Sequence, residues 1–103
     1  MIKVSVMYPH RVGARFDFEY YRATHTPMVL ERLGAACKRY SVDKGLTQMR
    51  PAAPPLYVAI CHLEFESVDA FNAAFAPHAR EIMADTPNYT DISPVIQVSE
   101  TYP

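Results

Sequence analysis

Glycine is scarce: the chain of 103 residues has three. None sits in a phosphate-cradling loop or a dinucleotide fingerprint, so nucleotide binding has little support. No serine lies in a nucleophile elbow. The two cysteines, Cys37 and Cys61, lack metal-pair spacing and cannot make a disulfide framework. Charge of one sign is also missing. The net charge is −1 and the longest basic run is Lys38-Arg39, which leaves no clustered basic face for nucleic acid. No apolar run reaches membrane length, and Met1 to Tyr8 alternates like a strand instead of showing the apolar block of a signal peptide. The expectation is one domain, residues 1–103, in the cytoplasm with reduced thiols, and with no nucleic-acid or membrane partner. Half of the residues are hydrophobic, enough to build a single small core and to exclude disorder.

What is present reads as alternating strands and helices. Ile2, Val4 and Val6 alternate with polar neighbours, predicting a half-buried strand that ends at Pro9. Asp17 is the N-cap expected for a helix reaching Gly34. A strand from Cys37 to about Leu46 follows, then the proline-rich loop Thr47 to Pro55, then the most apolar strand, Leu56 to Phe65. Ser67 caps a second helix, interrupted at Pro77, and Ser93 to Tyr102 closes the chain as a strand. The order β-α-β-β-α-β predicts an α+β ferredoxin-like sandwich, one four-stranded antiparallel sheet with both helices on one face.

Leu56 to Phe65 carries two alternating sets. Ala59, Cys61, Leu63 and Phe65 suit the space under the helices, so Val58, Ile60, His62 and Glu64 face away. That second set is too apolar at Val58 and Ile60 for open water. The expected remedy is a homodimer, two sheets face to face in a barrel, with a lined cavity in each half.

Pro27 falls inside the first helix, where it has no N–H to give. The break predicts a restart with Thr26 as N-cap and Pro27 as first helical residue. It places His25 on the last turn before the break. Two readings stand for His25: a general acid or base facing a cavity, or a side chain satisfying carbonyls freed by the break. His62 and Glu64 share a strand face and read as an acid–base pair, a polar rim, or two donors toward a metal. With His25 such a site would reach three ligands, but no spacing brings the three together, so neither metal nor cofactor is expected. Tyr8 ends the first strand and is placed near the cavity mouth as a carbonyl-polarising donor. Tyr21, Val58, Ile60 and Gln97 are the expected ligand contacts.

Three segments together carry a resemblance. Tyr21-Arg22-x-Thr24-His25-x-Pro27-Met28-Val29, Phe65-x-Ser67-x-x-Ala70-Phe71, and Asp85-x-Pro87-Asn88-Tyr89-Thr90 before Pro94-Val95-Ile96-Gln97 resemble the EthD family of dimeric α+β barrel proteins. The resemblance implies the dimer, the barrel and a pocket for a small molecule. The family has no single reaction, and its relatives include isomerases, cofactor-free monooxygenases, decarboxylases and cyclases, so membership leaves catalysis open. The expectation is cofactor-independent acid–base chemistry on an apolar, aromatic or polyketide-like ligand: isomerisation, cyclisation, decarboxylation or oxygenation. His25, His62, Glu64 and Tyr8 would carry it. The rival is a non-catalytic ligand-binding partner of a catabolic oxidase.

Overall fold

Every residue from 1 to 103 is described in the computed structural model of the protein. The alternating segments become β1 (Ile2–Pro9), β2 (Arg39–Lys44), β3 (Tyr57–Phe65) and β4 (Val95–Glu100). They form one sheet in the order β2-β3-β1-β4, with every pair antiparallel. Helices α1 (Phe18–Tyr20) and α2 (Thr26–Leu33) connect β1 to β2, and α3 (Val68–Phe75) and α4 (Ala79–Ala84) connect β3 to β4. Both crossovers lie on one face, which leaves a two-layer slab only 19 Å through its short axis. No helix is long and apolar enough to cross a membrane.

Caps act where the sequence offers them. The Asp17 carboxylate accepts from the Tyr20 N–H and the Ser67 hydroxyl from the Ala70 N–H. Gly34, at φ +62°, ends α2 in a conformation that disfavours a side chain.

The expected break at Pro27 is resolved differently. Thr26 is helical and makes no cap, and between α1 and α2 the chain forms a π-helical turn, Tyr21–His25. The Thr26 N–H reaches five residues back to the Tyr21 carbonyl. Widening by one residue lets the backbone pass a proline that donates nothing, without starting a new helix.

On β3 the alternation holds. Ala59, Cys61, Leu63 and Phe65 are buried beneath the helices, while Val58, Ile60, His62 and Glu64 are half-buried on the open face. Pairing across strands sorts that face into rows. Asp43, Ile60, Met7 and Val95 form a row that is apolar but for the carboxylate at its β2 edge, Ser41, His62, Ser5 and Gln97 a polar one, and Arg39, Glu64, Lys3 and Ser99 a mostly charged one.

Candidate functional site

The helical face holds the cavity. Its volume is about 310 Å³ and it lies between the sheet and the helices, on the side of the sheet opposite Val58, Ile60, His62 and Glu64. The floor comes from β1 and β3 through Val4, Val6, Cys61 and Leu63, and the roof from α2 and α3 through Val29 and Phe71. Ile96 and Met83, each about half exposed, mark the outer end, and Tyr8, Tyr21, His25 and Tyr89, all nearly inaccessible, mark the inner one. Burial raises the Cys61 thiol to about 11, so it lines the wall as an un-ionised, nearly apolar group.

The inner end is built around two local devices. The π-helical turn displaces the helix by one residue, and both Tyr21 and His25 from this turn line the cavity. The segment after α4 is pinned beside the start of α1 by a bridge between Phe16 and Thr90 and by the Asp17 N–H to the Tyr89 carbonyl at 2.7 Å. This pinning inserts the Tyr89 ring among Tyr8, Phe16, Tyr20, Tyr21 and His25, edge-on or tilted to most of them.

Four polar groups then form a chain. Asp85 Oδ2 lies 2.8 Å from His25 Nδ1. The Tyr89 hydroxyl is 3.4 Å from His25 Nε2 and 2.7 Å from the Tyr8 hydroxyl. Asp85 Oδ1 also accepts from the Tyr20 hydroxyl at 2.7 Å and the Asn88 amide at 2.8 Å. Burial alone would raise the Asp85 carboxyl, but donation from Asn88, Tyr20 and His25 outweighs it and holds it below the usual range. The carboxylate is therefore ionised and accepts only, so Nδ1 carries the imidazole proton. Burial pushes the His25 pKa down, and Asp85 offsets this only in part. The ring is neutral at neutral pH, with its Nε2 lone pair turned to the Tyr89 hydroxyl. Burial raises Tyr8, Tyr21 and Tyr89, neighbouring groups add to it at Tyr8 and Tyr21, and hydrogen bonds from Tyr8 and Thr86 offset it only in part at Tyr89, so all three remain phenols able to donate.

Donors and acceptor thus run Tyr8 to Tyr89 to His25 to Asp85. The bond into Nε2 is long, and long bonds are weak. A guest that displaces this weak bond can give its proton to Nε2 and accept the freed Tyr89 O–H on an oxygen beside it, with Tyr8 still donating to Tyr89.

Thr26, one residue on, lines the same cavity, and its hydroxyl is the one buried side-chain polar atom with no hydrogen-bond partner. An orphan of this kind costs about 1–3 kcal/mol.

The structure therefore separates residues that the sequence grouped together. His25, Tyr8 and Tyr21 meet at the cavity, with Tyr8 at its buried end and not its mouth. His62, Glu64, Val58, Ile60 and Gln97 lie across the sheet, on the open face. There Ser5 Oγ and His62 Nδ1 are 2.8 Å apart, Asp43 is 3.6 Å from His62 Nε2, Arg39 pairs with Glu64 at 3.6 Å, and the Gln97 amide donates to the Ser99 hydroxyl. The reason is parity. Tyr8 pairs with Ala59 and Ser5 with His62, an odd number of residues apart on each strand. Asp85, Tyr89 and Thr26 were not singled out as site residues. The segment Asp85-x-Pro87-Asn88-Tyr89 was visible as a motif, but only the fold turns it toward a histidine sixty residues away.

A four-stranded antiparallel sheet, with helices on one face over an apolar cavity that ends in a tyrosine–histidine–aspartate chain, defines an α+β protein of the ferredoxin-like fold. Within that class the chain belongs to the EthD family: the EthD domain matches residues 11–93. An EthD-like protein of Ralstonia eutropha is 52% identical over 96% of this chain and 89% of its own, with a TM-score of 0.92. An EthD family protein of Bacillus halodurans shares the fold at 14% identity, 99% of each chain and a TM-score of 0.68. A Bacteroides fragilis protein described as dimeric and ferredoxin-like does so at 15% identity, over 97% of this chain and 95% of its own, with a TM-score of 0.58. No curated protein gives a significant match.

Proposed function

We propose that the protein binds a small, largely apolar molecule in the cavity and moves a proton on it without a cofactor. The observation that carries this reading is the buried imidazole of His25, held by Asp85 at 2.8 Å and lining, with Tyr89 and Tyr8, a largely apolar cavity. A carbon acid next to a carbonyl gives its proton to His25 Nε2. The carbonyl oxygen, becoming an enolate, accepts from Tyr8 or Tyr89. Returning the proton to the same or another carbon gives exchange or isomerisation, so the balance closes without an oxidant. Asp85 stabilises the imidazolium that forms and itself stays ionised.

The probe is β-tetralone, an enolisable two-ring ketone. The full chain is expected to speed uptake of solvent deuterium beside its carbonyl, followed by mass spectrometry. If β-tetralone binds and exchange stays at the buffer rate, the protein is a ligand carrier and the catalytic reading is wrong.

We also place His62, Glu64, Val58, Ile60 and Gln97 in a homodimer interface. Support comes from the open face, where three neighbouring apolar residues, Ile60, Met7 and Val95, flanked at the β2 edge by Asp43, are covered by no helix. Sedimentation equilibrium at micromolar protein should give twice the chain mass, and Ile60→Asp should shift it to the monomer. A stable wild-type monomer would remove the interface.

A further inference from the structure

We infer that the cavity takes a neutral ring compound bearing a weakly acidic hydroxyl or an enolisable carbonyl, excludes its carboxylate counterpart, and uses Thr26 as a second polar anchor. This rests on the proposed ligand cavity and sharpens it.

The first ground is charge. No lysine, arginine, aspartate or glutamate lines the cavity. Arg22 and Arg32 from the same helical layer are committed on the outer surface to Glu19 and Glu81, and Arg15 donates to the Pro87 carbonyl. The charge nearest the inner end is the Asp85 carboxylate behind His25, and it is negative. A carboxylate guest would lose its water among apolar walls and meet a like charge. A phenol or an enol enters uncharged and meets the Nε2 lone pair with its own O–H.

Size is the second. A cavity near 150 Å³ holds one benzene ring, so about 310 Å³ suits two rings, about a dozen non-hydrogen atoms.

The third is the orphan at Thr26. Threonine in a helix normally returns its hydroxyl to a carbonyl three or four residues back. Thr26 follows the π-helical turn and makes no such bond. It has two accessible rotamers in a helix, so hydroxyl and methyl can exchange places without moving the backbone. A second oxygen on the ligand would be the missing partner.

The test is a calorimetric titration of the full chain, near neutral pH, with α-naphthol, α-naphthoate and the naphthalenediol isomers. α-Naphthol is expected to bind at least about tenfold more tightly than α-naphthoate. Equal or tighter binding of α-naphthoate overturns the charge selection while leaving the ligand cavity in place. Binding of neither removes the cavity reading itself, and this inference with it. At least one diol should gain about three- to tenfold over α-naphthol, and Thr26→Val, which keeps the side-chain volume, should erase the gain. A gain that survives Thr26→Val, or no gain for any isomer, overturns the anchor. The unliganded Thr26→Val protein should melt higher than the parent, since it no longer buries an unpaired hydroxyl, and this shows that any lost affinity is not lost folding.

Discussion

In a His25→Gln protein, solvent deuterium is expected to enter bound β-tetralone about 10²- to 10⁴-fold more slowly than in the parent. Glutamine still reaches the Asp85 side and still fills the inner end, but it offers no lone pair of useful basicity. Binding should change little, because the apolar walls, not the imidazole, supply most of the contact. A variant that binds and exchanges as fast as the parent would place the chemistry elsewhere.

The pH dependence carries a sign. Burial lowers the His25 pKa from its usual value near 6.5. The free base is the active form, so the rate should rise with pH to an inflection below about 6.5 and be flat at neutral pH. An inflection above that value would contradict the burial argument. Stability follows the same group. Its folded pKa lies below its unfolded one, so its contribution is present above about 6.5 and is lost as pH falls through the folded value. Asp85, also lowered, adds a second loss as pH falls below about 3.9 through its own folded value. The parent should therefore weaken in two acid steps, and the His25→Gln protein should lack the first.

Tyr89→Ala is expected to cost about 3–5 kcal/mol of stability, read from urea unfolding. Tyr89 is fully buried, surrounded by aromatic rings, and its hydroxyl serves both Tyr8 and His25. Alanine leaves a void between β1 and the π-helical turn and strands the Tyr8 hydroxyl, a buried phenol. Tyr89→Phe separates the two effects. It keeps the ring and loses the hydrogen bonds, for about 0.5–1.5 kcal/mol. If both variants cost the same, ring packing is not what holds the inner end together. Tyr89→Phe should also slow β-tetralone exchange, since it interrupts the chain from Tyr8 to His25.

Much of the fold could be read from local pattern. Alternation in Ile2–Tyr8 and Leu56–Phe65, with the caps Asp17 and Ser67, placed strands and helices within a few residues. The two sets on β3 were assigned to their proper faces, because a period of two leaves only that choice once one set is uniformly small or apolar. His25 was singled out because Pro27 must disturb any helix that contains it. The form of the disturbance was not legible. Thr26 looks like a cap in one dimension, yet the chain widens into a π-helical turn from which Tyr21 and His25 are buried against the sheet. Grouping His25 with His62 failed for a related reason. Face parity on a strand says which residues share a side, but not on which side a distant helix will lie.

The amino-acid order by itself determined the layered architecture, the burial of Ala59, Cys61, Leu63 and Phe65, and a sheet face that no helix covers, because these depend on periods of two and 3.6 residues along a short stretch. Only the tertiary structure decided where the cavity lies and which groups meet in it. Asp85 and Tyr89 reach His25 because the segment after α4 pairs back onto Phe16 and Asp17. Contacts across sixty residues are set by that packing, and no local pattern encodes them.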